Sequence, residues 1–263
     1  MRAFAFALGI SLALAGGGAG ATPRRVASLN LCADELVLLI AAPEQIVSVT
    51  HLARDPDEFP FWTLARRYPA NDGSIVSVAG MRPDLIVTMG GLGRDRDWLA
   101  RRIGAGLVDL PFPQSIADVE ASIERLGGVL GREARAAALI RAIRRARRDV
   151  PTRAVETAYL SGGGLSLSAS GLGAEWMALA GLIQAALPGD RVTSERLLSD
   201  PPAVVLRSNY RGNQASRASR WPGFGLLGRL PHLRTIDTDG RRWTCMGPSL
   251  LPEIARLRRE VAR

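Results

Sequence analysis

The sequence predicts an α/β fold made of two similar halves, each containing a parallel β-sheet. Short apolar runs alternate with helical segments along most of the 263 residues, which is typical of parallel strands covered by helices. Two long consecutive helical segments interrupt this alternation near the middle of the chain, after which it starts again. The composition, 47% apolar and 22% charged, is that of a globular protein and argues against disorder.

In the first half, apolar runs predict strands at residues 25–29, 45–50, 84–89 and 106–110. Helices are predicted at residues 32–41, 61–68 and 94–104, and Asn30 is a suitable N-cap for the first of them. Pro43 and Pro69 end the first two helices, because proline cannot continue a helix.

The central segments, residues 115–130 and 132–150, are the two longest predicted helices, with Gly131 between them. The second of these has apolar residues at helical spacing and arginines on its other face. Beyond Pro151, strands are predicted at residues 154–160, 203–207 and 233–237. Helices are predicted at residues 174–187, 224–230 and 252–262.

Residues 1–21 have the pattern of a cleavable signal peptide. Met1 and Arg2 precede a largely apolar stretch at residues 3–15, and small residues at 19–21 form a cleavage signal. We therefore expect an exported chain that starts at Thr22 and is localised to the periplasm. The net charge of +9 comes from 34 arginines without any lysine. Export argues against a nucleic acid as the partner of this basic chain.

Sequence motifs for enzyme chemistry are lacking. The chain has two histidines, and it contains neither a G-x-S-x-G elbow nor a Walker A sequence. The glycine-rich loop at residues 161–173 lacks the G-x-G-x-x-G spacing of a nucleotide-binding motif. Two histidines are too few for a site that captures a bare zinc or manganese ion. We therefore predict a protein that is not an enzyme, with no resident metal and no cofactor.

Candidate ligand-binding residues follow from the rule that open parallel sheets bind ligands at the carboxyl ends of their strands. Tyr210 and Trp243 offer flat apolar faces, and Arg54 and Arg211 offer groups that bind anions. The full predicted set is Asn30, Cys32, His51, Arg54, Gly91, Ser161, Asn209, Tyr210, Arg211, Trp243 and Cys245.

The two cysteines have three interpretations. Cys32 and Cys245 follow strands of different halves, so both face the cleft. They could form a disulfide in an oxidising compartment, although this would tether the two halves across the ligand site. Alternatively, they are free thiols that contact the metal of a bound ligand, or two inert small residues.

Four segments resemble the periplasmic substrate-binding proteins of iron-siderophore and cobalamin ABC importers. These segments are residues 25–36 (RVASLNLCADEL), 43–49 (PEQIVSV) together with 53–56 (ARDP), 81–87 (MRPDLIV) and 243–248 (WTCMGP). The last resembles a W-x-C-G-G-P pattern of one subgroup, and Met246 stands where that pattern has glycine. The resemblance extends over residues 24–258.

The resemblance implies two Rossmann-like lobes joined by a single long helix. It divides the chain into a signal peptide at residues 1–21, an N-terminal lobe at 22–131, a connecting helix at 132–150 and a C-terminal lobe at 151–263. It also implies docking to a membrane permease through an acidic residue on each lobe. Glu175 is the candidate on the second lobe, and Glu44 and Glu58 are candidates on the first.

From these observations we expect a monomeric solute-binding component of an ABC importer, which works with an inner-membrane permease and its ATPase. The expected ligand is a small-molecule metal chelate, either a cobalamin-like corrinoid or a ferric siderophore, with heme as a third option. Two alternatives remain open at this point: an exported α/β enzyme resembling a hydrolase, and a ligand sensor that does not transport.

Overall fold

Two separate parallel sheets form the framework of the protein. The computed structural model describes residues 22–91, 93–210, 220–230 and 233–262. The first sheet contains β1 (Val26–Ser28), β2 (Ile46–Thr50), β3 (Ala70–Asn71), β4 (Leu85–Met89) and β5 (Gly106–Leu110), in the order β3-β2-β1-β4-β5. The second contains β6 (Val155–Leu160), β7 (Leu182–Gln184), β8 (Val204–Ser208) and β9 (Arg234–Thr238), in the order β7-β6-β8-β9. All strand pairs in both sheets are parallel, so the predicted fold class is confirmed.

The helices of the first lobe include the four that were predicted, although α2 is shorter than expected, and one that was not predicted, α3. They are α1 (Leu31–Ile40), α2 (Trp62–Ala65), α3 (Ile75–Ala79), α4 (Gly93–Arg102) and α5 (Ile116–Leu130). Asn30 caps α1, since its side-chain oxygen accepts a hydrogen bond from the backbone N–H of Ala33 at 2.8 Å. A nearly continuous apolar run makes α1 buried on most sides, against β2, β4 and α5.

A helical hairpin leads from the first sheet to the second. It consists of α5 and α6 (Glu133–Arg148), which pack along each other. Ser115 and Asp118 form a capping box at the start of α5. Gly131 ends α5 in the left-handed conformation, at φ +62°. The contact is so close that a Cβ atom on Gly127 would lie 2.4 Å from that of Ala136.

The second lobe packs against this hairpin. Its helices are α7 (Leu172–Leu179), α8 (Ser194–Ser199), α9 (Gly223–Leu227), α10 (Arg242–Cys245) and α11 (Leu250–Val261). Arg258 of α11 donates hydrogen bonds to the carbonyl of Leu179 at 2.6 Å and to that of Ala146 at 2.5 Å. One side chain therefore connects α11 to the end of α7 and to the end of α6.

The predicted helix at residues 174–187 is wrong in its second half. Helix α7 ends at Leu179, and after a turn the chain forms β7. Gly181 makes this turn at φ +78°, and its α-carbon lies close against Pro151 and the carbonyl of Arg153. Four further short elements were not predicted, namely β3, α3, α8 as a full helix, and α10.

No helix within the described part of the chain has both the length and the apolar character needed to cross a bilayer.

Candidate functional site

Loops that follow the carboxyl ends of strands in the two sheets meet each other, as contacts between the lobes show. In the first lobe, β2 leads into His51–Arg54, and β4 leads into Gly90 and Gly91. In the second lobe, β8 leads into Asn209 and Tyr210, and β9 leads into Asp239. Two groups of contacts connect the lobes across this cleft, at different distances from the α5–α6 hairpin.

The first group, here called the mouth, consists of Pro56 and Glu58 on one lobe and Tyr210 and Arg241 on the other. The hydroxyl of Tyr210 donates a hydrogen bond to Oε2 of Glu58 at 2.5 Å. Nη1 of Arg241 donates to the carbonyl of Pro56 at 2.6 Å. Because Pro56 and Glu58 follow β2, the mouth lies away from the β5 edge, from which the hairpin starts.

Asp239 holds Arg241 in place at the mouth. Its carboxylate accepts hydrogen bonds from Nε of Arg241 at 2.8 Å and from Nη2 at 2.9 Å. Burial acts to raise the pKa of Asp239, but hydrogen bonds and charges from Arg241 and Arg242 outweigh it and lower that pKa. Asp239 therefore remains ionised at neutral pH, and the arginine pair stays oriented.

Glu58 was a candidate for docking to a permease, and the structure contradicts this prediction. Its side chain is 5% exposed and bonds to Tyr210 of the other lobe. A carboxylate in that position faces the cleft and is not available at the outer surface.

Arg54 and His51 lie where they were predicted, on the loop that follows β2. His51 is exposed, and its Nδ1 lies 3.2 Å from the carbonyl of Asn71. Arg54 is half-buried, and its Nε is buried without a hydrogen-bond partner among the described residues. Nearby, Arg66 donates to the carbonyl of Arg54 at 3.1 Å and stacks over the ring of Trp62 at 4.5 Å.

The other predicted loop residues lie at strand ends. Gly91 is exposed and adopts φ +80°. Ser161 is half-buried in a tight turn, where its N–H donates to the carbonyl of Leu165 at 2.7 Å. Asn209 is exposed, and its side-chain oxygen accepts from the N–H of Gly240 at 3.0 Å. Arg211 lies outside the described residues.

Asn30 has a structural role that competes with ligand binding. Its oxygen caps α1, and its Nδ2 donates to the carbonyl of Met89 at the end of β4. Both polar ends of the Asn30 side chain are therefore used within the first lobe, and a role for Asn30 in ligand binding stays a prediction.

The structure also contradicts the prediction that Trp243 presents its ring to the cleft. Trp243 is 3% exposed, and its indole N–H donates to Oγ1 of Thr238 at 2.8 Å. Its ring packs 5.3 Å from that of Tyr159, whose pKa burial raises to about 12. Both aromatic side chains belong to the core of the second lobe.

The second group of inter-lobe contacts, here called the seam, contains Cys32, Glu35, Cys245, Gly247 and Ser249. Cys32 and Cys245 are joined by a disulfide, with 5.1 Å between their α-carbons. Cys245 is 8% exposed. The structure therefore differs from the two interpretations that left both thiols free, and it removes Cys32 and Cys245 as direct ligands of a bound metal.

Glu35 of α1 forms a second link at the seam. Its Oε1 accepts a hydrogen bond from the N–H of Ser249 at 2.7 Å, and its side chain is buried. Burial raises the pKa of Glu35 to about 7, against the lowering effects of Ser249 and of the charge of Arg242. Gly247 lies so close that an added Cβ atom would be 2.5 Å from Oε1 of Glu35.

Met246, beside Gly247, adopts φ +50° and so lies in the left-handed region that favours glycine. Its carbonyl accepts a hydrogen bond from the indole N–H of the buried Trp176 at 2.8 Å. The backbone geometry explains why the pattern that this segment resembles has glycine at the position of Met246.

The candidate docking residues Glu175 and Glu44 are exposed. One oxygen of Glu175 accepts a hydrogen bond from the N–H of Ile116, at the start of α5, at 2.7 Å. This contact lies beyond β5 and adds a third inter-lobe link on the hairpin side. Glu44 lies 3.6 Å from the guanidinium of Arg132.

Several residues of the site were missed from the sequence. Arg241, Glu35 and Phe112 were not among the predicted residues. Phe112 directly follows β5 and is 57% exposed, so the strand-end rule would have selected it. The sequence contains no comparable indication for Glu35, because an acidic residue on an otherwise apolar helix is normally expected to face solvent.

Metal-ligating residues do not cluster in the described ranges. No group of three or more histidine, cysteine, aspartate or glutamate side chains there is arranged to hold a metal ion. The polar groups at the mouth are suited to hydrogen bonding and charge pairing with a larger ligand.

Solved structures with the same fold were identified by comparison. A periplasmic heme binding protein from Pseudomonas aeruginosa is 19% identical, with a TM-score of 0.65, over 90% of this chain and 92% of that one. The periplasmic vitamin B12 binding protein BtuF of Vibrio cholerae is 17% identical, with a TM-score of 0.63, over 91% and 97%. An ABC-type Fe3+-hydroxamate transport system from Saccharomonospora viridis is 16% identical, with a TM-score of 0.62, over 92% and 94%.

Sequence comparison gives the family. No curated protein matches the chain in sequence. The sequence model of the periplasmic binding protein family matches residues 26–219, which is more than half of the chain. The two parallel sheets, the strand-end cleft and this match agree, and the chain belongs to the periplasmic binding protein family.

Proposed function

We propose that the protein captures a metal chelate between its two lobes in the periplasm and delivers it to an ABC permease with its ATPase. The observation that carries the proposal is the mouth, where strand-end loops of both sheets meet through Tyr210–Glu58 and Arg241–Pro56. A ligand bound there contacts both lobes at once, which is how a two-lobed binding protein registers that it is loaded.

The chemistry around the mouth supports an anionic, partly apolar ligand. Arg54 has a buried Nε without a partner among the described residues, and Arg66 lies over Trp62. Guanidinium groups bind carboxylates and other anions, and aromatic rings stack on flat apolar surfaces. Phe112 adds an exposed ring at the end of β5. These features suit a chelate with anionic groups better than a bare cation.

The comparison structures point in the same direction. They are a heme binding protein, a vitamin B12 binding protein and an Fe3+-hydroxamate transport system. All three ligands are metals held by an organic chelator. By analogy we propose a corrinoid, a ferric siderophore or heme for this chain.

Location and partners belong to the same proposal. Residues 1–21 would direct export and be removed, leaving lobes at residues 22–131 and 151–263 around a connecting helix at 132–150. Glu175 and Glu44 are exposed acids on different lobes, and we propose them as contacts for a permease. We further propose that the protein acts as a monomer and has no catalytic activity.

Isothermal titration of residues 22–263 with cyanocobalamin, hemin and a set of ferric siderophores tests the proposal. We expect saturable one-to-one binding of one chelate. Arg54→Ala should weaken that binding about tenfold or more, because an ion pair to a charged group is lost. Arg141→Ala, an exposed arginine on the connecting helix, is the matched control. Absence of binding across the panel, or an equal effect of both variants, would contradict the proposed ligand class or site.

A further inference from the structure

The seam brings a disulfide and a buried acid together at one small cavity. The cavity is lined by Cys32, Glu35, Leu36, Met89, Pro113, Val119, Ser122, Cys245 and Gly247. Its volume of about 10 Å³ is close to the space that one water molecule needs. Glu35 and the two sulfurs are its chemically reactive lining groups, and no other lining residue is ionisable.

One polar group at this cavity has no hydrogen-bond partner among the described residues. Oγ of Ser122 lines the cavity, is buried and has no hydrogen-bond partner there. A water molecule in the cavity would give such a hydroxyl a partner and connect Glu35 to the sulfurs.

The two sulfurs differ in access and in electrostatic surroundings. Cys32 is half-buried and is the second residue of α1, where backbone N–H groups and the helix dipole stabilise a thiolate. Cys245 is buried beside Glu35. Because Cys32 is the more exposed of the two, an attacking thiolate reaches it first, and Cys245 becomes the leaving sulfur of that step. Stabilisation of the Cys32 thiolate at the start of α1 favours the later step, in which Cys32 is itself released.

We propose that Cys32–Cys245 is a site of thiol–disulfide exchange with a dithiol partner, in which Glu35 donates the proton that the leaving Cys245 sulfur requires. Reduction at this site cuts the covalent tie between the lobes. The hydrogen bonds at the mouth then remain, but the two lobes are no longer joined by the disulfide at the seam. This activity is independent of which ligand the cleft binds.

The exchange takes place in two balanced steps. A thiolate of the dithiol attacks Sγ of Cys32, forming a mixed disulfide, while the Cys32–Cys245 bond breaks and its electron pair goes to Cys245. Glu35, directly or through the cavity water, gives its proton to that sulfur. The second thiol of the reductant then loses its proton to solvent and closes on the first. This oxidises the reductant to its own disulfide and releases Cys32 as a thiolate.

The protonation state of Glu35 fits this role. Burial raises the pKa of Glu35 to about 7, so that near neutral pH a large share of the carboxyl still carries its proton. The charge of Arg242 on α10 acts on Glu35, and on its own helix Asp34 points elsewhere, to Thr50 of β2. Asp34 is equally buried, and burial also raises its pKa to about 7, which makes it a matched control.

The test measures how fast dithiothreitol reduces the oxidised native protein, residues 22–263. Thiols are trapped by alkylation and counted by intact mass in the wild type, Glu35→Gln and Asp34→Asn. At about pH 6 we expect Glu35→Gln to react at least about tenfold more slowly than the wild type. This ratio should approach one by about pH 8.5, where Glu35 has lost its proton. Asp34→Asn should stay within about twofold of the wild type at both pH values.

Three results would overturn the proposal. The first is a Glu35→Gln rate equal to or faster than that of the wild type at about pH 6. The second is a ratio that does not change with pH. The third is a wild-type reduction rate equal to the rate of global unfolding, since the disulfide would then react only in unfolded chains. This third comparison uses the wild type alone and holds even if a variant fails to fold.

Discussion

At the scale of single residues, close approach explains the segment that follows α10. Gly247 is pressed against the carboxyl of Glu35, and Met246 occupies the left-handed region. The sequence suggested that this segment matters, because it resembles a known pattern. It did not show the reason, which is that α1 of the other lobe lies directly against it.

We predict that Gly247→Ala lowers the free energy of unfolding by about 1–3 kcal/mol, because the added methyl group overlaps Oε1 of Glu35. Gly128→Ala is the control. Its Cβ would meet nothing within 4 Å on an exposed position of α5, so this change should stabilise the protein by about 1 kcal/mol. Urea unfolding measures both values. Equal effects of the two variants would show that the contact at Gly247 is unimportant.

The buried acids Asp34 and Glu35 predict a dependence of stability on pH. Burial raises the pKa of each to about 7. In the folded chain they hold protons that the unfolded chain releases near its ordinary carboxyl pKa. Their stabilisation is therefore present below about pH 4 and is lost as the pH rises to about 7.

Asp34→Asn should remove about half of this loss, while Glu35 continues to titrate. Unfolding free energies measured by urea between about pH 5 and pH 7 should fall less steeply in the variant, by about 1 kcal/mol per pH unit. Asp239 and Glu253, whose pKa values are lowered, act below this range. Identical slopes in the variant and the wild type would contradict a raised pKa for Asp34.

At the scale of elements, the periodicity of apolar residues predicted the long helices and strands but not the shortest ones. The α5–α6 hairpin and β4, β5, β6 and β8 appear within two residues of their predicted bounds. Residues 174–187 are rich in helix-forming residues, and only tertiary contacts at Gly181 turn the second half into β7. β3 has two residues and α10 has four, which is too short to show a period.

The mouth loops connect elements of different lobes through one side-chain pair, Tyr210 and Glu58. Tyr210→Phe removes the hydroxyl that bonds to Glu58, and a hydrogen bond to a charged group contributes about 1.5–3 kcal/mol. We predict about tenfold faster hydrogen exchange in the loop at residues 51–59 of the ligand-free protein. Tyr68→Phe, a half-buried tyrosine on the first lobe, is the control. Unchanged exchange in the Tyr210 variant would show that the mouth is held by other contacts.

At the scale of the whole molecule, the contacts between the lobes are arranged in sequence across the first sheet, from its β5 edge towards β2. Glu175–Ile116 lies beyond β5, the disulfide and Glu35–Ser249 lie at α1 near the middle of the first sheet, and Tyr210–Glu58 lies beyond β2. The covalent links are the hairpin and the disulfide. A disulfide therefore need not prevent opening, since the lobes can separate at the mouth while the seam remains closed.

The two-lobed fold could be predicted from the sequence because parallel sheets leave a strong pattern in every strand. The strand-end rule also predicted the positions of Arg54, His51 and Tyr210, which lie on loops that follow β2 and β8. The rest of the candidate site could not be predicted. Trp243 turned out to be core, and Glu35 and Glu58 turned out to be inter-lobe contacts, because these roles depend on the neighbouring lobe. No hydrophobic period or motif in the sequence indicates which residues contact the other lobe.

Hydrogen exchange of residues 22–263, with and without the chelate that binds in titration, tests capture between the lobes most directly. We predict slower exchange on both sides of the mouth, in residues 51–59 of the first lobe and in residues 207–210 and 239–243 of the second. Residues on the outer face of α6 should be unaffected. Protection confined to one lobe, or protection away from the strand ends, would contradict capture between two lobes.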